Sequence, residues 1–191
     1  LDEGRLWISY GETGEGRRAL MKAARRLPNN PSVQNNIALS YAVDGNLTKA
    51  LEITNQVLAA HPDNLFAQAI RGQLLVRLGR EDEARTLIHQ LAQENPTAGD
   101  PWIKIAEACA YAHEHQLVLN VCERGLAARL PGGSLPAFTA TLQCFIGTAQ
   151  AFLGNQKKAR AAWKKVIPQS PYYQVAQANL DQHRTHGPFY F

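Results

Sequence analysis

Apolar residues recur at helical spacing along most of the chain, and the helices they predict come in pairs. Ile37, Ala38 and Tyr41 stand three and four apart, the chain turns at Asp44-Gly45-Asn46, and Ala50, Ile53, Val57 and Leu58 fit one face of a second helix. This pattern predicts a helical hairpin. A single hairpin of this kind cannot bury its apolar face, so neighbouring hairpins must stack and share a core.

The hairpin repeats. Gly11, Gly45 and Gly79 lie 34 residues apart, the next step reaches His113, and 41 residues further stands Gly154. Pro28, Pro62 and Pro96 keep the same interval, followed by Leu130 and, after 41, Pro171. Two columns of small residues run in step, Gly4, Ala38, Gly72, Ala106 and Gly147 in one, Gly16, Ala50, Ala84, Val118 and Ala159 in the other. A single seven-residue insertion around "PGGSLPA" accounts for every shift. Glycine suits the left-handed residue that closes a first helix, and proline ends a second helix because it cannot continue the hydrogen-bond ladder. The small residues fall where paired helices approach closely. The expected architecture is all-α, a single domain over 1–191 with repeats at approximately 1–30, 31–64, 65–98, 99–139 and 140–173, then a capping helix and tail over 174–191.

These columns resemble the tetratricopeptide repeat, whose signature is an aromatic residue, then Leu-Gly, an aromatic, Ala, Phe and Pro. "NIALSYAVDGNLTKALEITNQVLAAHPDN" and "AIRGQLLVRLGREDEARTLIHQLAQENP" meet it in part, as do "DPWIKIAEACA" with Trp102 and "CFIGTAQAFLGNQKKARAAW" with Gly147, Gly154, Ala159 and Trp163. The third full unit departs most: His113 replaces the turn glycine, Leu130 a proline, and Cys109 and Cys122 occupy places that are usually aromatic. Gln34 and Gln68 replace the first aromatic residue of their units. The resemblance implies a right-handed superhelical α-solenoid of about five repeats, whose first helices line a concave groove that binds peptides or partner helices and performs no chemistry. On that analogy Asn35, Asn36, Gln73, Arg77, Lys104, Glu107, Tyr111, Thr148 and Phe152 line the groove. A polar or acidic stretch of the partner is expected near Arg77 and Lys104, and its apolar side chains near Tyr111, Phe145 and Phe152. Phe145 has a second expected role, packing under the helix that begins near Gln174. The lysine and asparagine set of the carboxylate clamp in three successive units is missing, which disfavours a chaperone's acidic C-terminus as partner.

Competing chemistry is thin. "GETGEGRR" at 11–18 imitates a phosphate loop, but Arg17 and Arg18 stand where lysine and serine or threonine would hold phosphate and Mg²⁺. In the repeat register it is a helix-to-helix turn, with Gly4 and Trp7 on the helix before it and Gly16, Leu20 and Ala23 on the helix after it. No nucleophile elbow, no His-Glu-x-x-His helix and no isolated carboxylate pair is present, so no catalytic residue and no cofactor is expected. Cys109, His113, His115 and Cys122 have spacing compatible with tetrahedral zinc, or with a Cys109–Cys122 disulfide under oxidation. The cysteines fall at core places and the histidines in an exposed turn, which argues against a metal. His183 and His186 read as a solvated helix end.

Charge and composition add limits. The 45% apolar and 19% charged content is that of an ordinary globular chain. The net charge of +4 arises in residues 134–191, which hold six basic and one acidic side chain, with Lys157, Lys158, Arg160, Lys164 and Lys165 crowded in one segment. No aromatic platform accompanies them, so a protein partner is favoured over nucleic acid. Residues 130–156 carry no charge, yet their prolines, glycines and glutamines do not make a membrane span. Three cysteines are too few for a disulfide framework, which favours a reducing, cytoplasmic setting and leaves localisation otherwise open. The chain begins at Leu1, consistent with processing or trimming of a longer start. The aromatic tail Pro188-Phe189-Tyr190-Phe191 either docks on the array, mediates self-association, or is a cut edge of a longer protein. The last option carries the alternative reading: a docking module of a larger secretion or biosynthetic protein whose chemistry lies outside these residues.

Overall fold

The computed structural model describes residues 13–130 and 135–185. Gly4, Trp7 and Gly11, the insertion residues 131–134 and the aromatic tail all lie outside the described residues. The described residues are all-helical: α1 Thr13–Arg26, α2 Pro31–Val43, α3 Leu47–Ala60, α4 Leu65–Arg77, α5 Glu81–Leu91, α6 Gly99–Tyr111, α7 His115–Ala127, α8 Pro136–Phe152, α9 Gln156–Trp163 and α10 Tyr173–Thr185. The chain enters α1 at Thr13, so most of "GETGEGRR" is the first stretch of a helix. Arg17 is committed there to α2. Its guanidinium pairs with Asp44, donates to the Ser40 hydroxyl (3.0 Å) and carbonyl (3.3 Å), and lies 4.2 Å over the Tyr41 ring.

The hairpins close by one recurring turn. Gly45, Gly79, His113 and Gly154 all take left-handed φ values, of 81°, 73°, 58° and 79°. The following amide reaches back to the carbonyl five residues earlier each time: Asn46 to Tyr41, Arg80 to Leu75, Glu114 to Cys109 and Asn155 to Gln150, all at 2.8–2.9 Å. This bonding satisfies the last carbonyls of each first helix. Entry into the first helices is also periodic. Asn30 and Asn64 accept hydrogen bonds from the Val33 and Ala67 amides at 3.1 and 2.9 Å, whereas Ala98 at the start of α6 offers no side-chain cap. Gln34, Gln68 and Trp102 share one register position and one task. Their side-chain N–H groups donate to the carbonyls of Pro28, Pro62 and Pro96 at 3.0, 2.6 and 3.0 Å.

The packing divides within α5 into two compact units, Leu1–Leu87 and Ile88–Phe191. In the first, Leu20, Val33, Ile37, Ala38 and Ile53 form one buried cluster, and Ala42, Ala50, Ile70 and Leu74 a second that joins α2, α3 and α4. In the second, Trp102, Ile105, Cys109, Val118, Cys122 and Leu142 are buried where α6, α7 and α8 pack. Ala140, Cys144, Ala151, Ala159, Trp163, Val166 and Ala176 tie α8 and α9 to α10. The small-residue columns lie inside both units, and Gly147 shows why. A methyl group there would stand 2.4 Å from the Trp163 ring.

Candidate partner-binding faces

In the first unit, α2 and α4 carry the expected contacts. Asn35 is only 2% exposed, and its Oδ1 has no hydrogen-bond partner among the described residues. Asn36 is buried and donates to the Ser32 carbonyl at 2.7 Å, and Gln73 is buried on α4. Arg77 alone of these four is exposed, in the last turn of its helix. Val43, one repeat earlier in the same column, is 59% exposed. It was not among the expected groove residues, although the intervals that select Arg77, Tyr111 and Phe152 select it too.

In the second unit, Tyr111 and Phe152 end α6 and α8, each 47% exposed. The His115 ring stacks on Phe152 with centroids 4.5 Å apart and planes within 7°. Burial, and next the neighbouring His113, lowers the proton affinity of His115, which favours the neutral ring. Lys104 and Glu107 come together: Lys104 Nζ donates to Glu107 Oε2 at 2.5 Å, and the Tyr172 hydroxyl donates to Glu107 Oε1 at 2.5 Å. Burial and the Glu107 charge push the Tyr172 phenol far above its usual range, so it remains a donor. This closure spans 65 residues, and no local pattern announces it. Phe145 is buried with its ring 5.0 Å from that of Tyr172, just ahead of α10.

Thr148 requires correction as a groove residue. It is 0% exposed; its hydroxyl donates to the Cys144 carbonyl at 3.2 Å and accepts from Trp163 Nε1 and Asn179 Nδ2 at 3.3 and 3.4 Å. Its place is inside the joint between α8, α9 and α10, because it follows Gly147 on the face that admits Trp163.

The cysteine and histidine set is split by the fold. Cys109 and Cys122 are buried thiols, His113 is exposed in its turn, and no group of three His, Cys, Asp or Glu gathers among the described residues. Burial pushes the Cys109 and Cys144 thiols up to about 12 and Cys122 well above its usual value, opposing the thiolate that metal binding or disulfide chemistry needs. No helix among the described residues is long and apolar enough to cross a membrane.

Hairpins with one closing turn, one pair of small-residue columns and one proline register define a tetratricopeptide repeat protein, an α-solenoid. More narrowly, the chain belongs to the family described as the Psidin N-terminal TPR repeats region, which matches residues 41–180. It is 36% identical over 73 residues to the phagocyte signaling-impaired protein of Drosophila pseudoobscura pseudoobscura, covering 38% of this chain and 7% of that protein. It is 26% identical over 136 residues to the rat N-alpha-acetyltransferase 25, NatB auxiliary subunit, covering 70% of this chain and 13% of that protein. The chain therefore spans a small fraction of these relatives' length. Among solved structures, a thermophilic TPR protein of Thermus thermophilus shares the fold over 97% of both chains, with a TM-score of 0.73 and 16% identity.

Proposed function

We propose that this chain is a non-catalytic docking module that holds a peptide or helix of a partner protein against its first helices, as part of a longer auxiliary subunit. The observation that carries this reading is that each unit leaves the ends of its first helices exposed, Val43 and Arg77 in the first and Tyr111 and Phe152 in the second, while their interior faces are buried. One guanidinium and two aromatic rings are the side-chain types that dominate binding energy when a partner covers them. The match to a NatB auxiliary subunit supports the choice of partner: an N-alpha-acetyltransferase subunit that would carry the chemistry. Asn35, Asn36 and Gln73 are proposed to contribute after a small rearrangement, Asn35 through its unpaired carbonyl oxygen, and Lys104 and Glu107 as a neutral pair beneath the contact.

Calorimetry with the acetyltransferase subunit of the same organism tests this. Arg77→Ala and Phe152→Ala are each expected to weaken binding by roughly 1 to 3 kcal/mol without unfolding the repeats. Tight binding that ignores both changes would overturn the reading.

A further inference from the structure

Helix α9 carries a concentrated charge that the fold does not use. Lys157 and Lys158 open the helix, while Lys164 and Lys165 follow its last residue, Trp163; all four are exposed. None of them forms an ion pair among the described residues. Lys164 keeps helical backbone angles, φ −63° and ψ −16°, so Lys164 and Lys165 extend the surface of the helix by two residues. At 100° per residue, positions 157, 158, 161, 164 and 165 fall within an arc of about 120°. Ala159, Ala162 and Trp163 point the other way into the core. Two lysine pairs thus sit about 10 Å apart along one stripe, as seven residues at the helical rise require. Exposed Ala161 lies between them, the smallest side chain on that face. No carboxylate softens the field nearby in sequence: Asp181 is the single acidic residue after position 133.

We propose that this face of α9 docks an acidic helix of a protein partner, at a site distinct from the first-helix faces. A partner helix with pairs of carboxylates two turns apart matches the spacing of the lysine pairs. Ala161 leaves room for its backbone to come close, and the one-sided charge steers the encounter. Lysine-rich surfaces also attract nucleic acid and anionic lipid. The face has no exposed aromatic on which a base could stack, since Trp163 is fully buried, and no apolar residue larger than Ala161 to enter a bilayer.

The test uses a fluorescein-labelled alanine-based helical peptide of about 18 residues bearing glutamates in pairs seven residues apart, long enough to be helical. Anisotropy titrations of the full chain should show binding that weakens with salt, and none to the same peptide with glutamine in place of glutamate. Lys157→Gln/Lys164→Gln and Lys158→Gln/Lys165→Gln should each lower the affinity by about tenfold, with circular dichroism unchanged. Arg77→Ala and Phe152→Ala should leave this binding untouched, which separates it from the first-helix reading. Absence of binding, indifference to the lysine substitutions, or tighter capture of oligouridine or phosphatidylserine vesicles than of the acidic peptide would each overturn the proposal.

Discussion

Hairpin α2–α3 in the first unit and hairpin α6–α7 in the second reach one geometry by different means. The first has Asn30 capping the entry, Gly45 in the left-handed turn, and Gln34, in place of the family's aromatic residue, tying the helix start to Pro28. The second lacks two of the three. Ala98 caps nothing with its side chain, and His113 takes a φ of 58° that a Cβ disfavours. It is held instead by tertiary contacts. Trp102 is buried and donates to Pro96, while Arg124 donates to the carbonyls of Ala92, Gln93 and Glu94 at 2.5–3.0 Å and to Asn95 Oδ1 at 2.8 Å. The same guanidinium lies 5.5 Å over the Trp102 ring. The difference teaches that a hairpin whose open end is held by contacts to the preceding repeat can lose its local signature and keep its shape.

Three substitutions probe that contrast, and a fourth, at Gly147 in α8, tests the register column that Ala38 and Ala106 share with it. The largest effect is expected at Gly147, where Ala38 and Ala106 hold the same register position comfortably. Gly147→Ala drives a methyl group into Trp163 and should cost about 3 kcal/mol in chemical denaturation, the upper end for overpacking. Arg124→Ala releases four acceptors beside α5 and should cost about 2 kcal/mol, whereas truncating an exposed, unpaired lysine such as Lys157 should cost almost nothing. Ala98→Asn restores the missing cap on a backbone already extended for it, φ −128° and ψ 158°, and should add about 1 kcal/mol. His113→Gly relieves the left-handed residue but loosens the unfolded chain, for a net gain of about 0.5 kcal/mol. A loss of stability in either of the last two variants would break the equivalence of the two hairpins.

The repeat was legible because glycine, proline and the small residues encode local backbone needs at fixed intervals. His113 was placed correctly in the turn by register alone, against its own propensity. The binding faces were less legible, for a physical reason: periodicity says which way a side chain points, while burial depends on what covers it. Thr148 points along the expected face of α8 and is nevertheless sealed beneath Trp163 and Asn179. Glu107 is engaged by Tyr172 from a distant segment, and Arg124 reaches back about thirty residues to its carbonyls. Such contacts join positions that no 34-residue ruler connects. Val43 was the reverse case: it stands in the column that holds Arg77, Tyr111 and Phe152 and is exposed, but was not among the expected groove residues.

The claim that a protein partner lies on the first helices is tested most directly by hydrogen–deuterium exchange of the chain, free and bound to the acetyltransferase subunit. Added protection is expected in the last turns of α2, α4, α6 and α8, around Val43, Arg77, Tyr111 and Phe152, with α3 and α7 unchanged. Protection confined to the second helices, with those four positions exchanging as in the free chain, would contradict it.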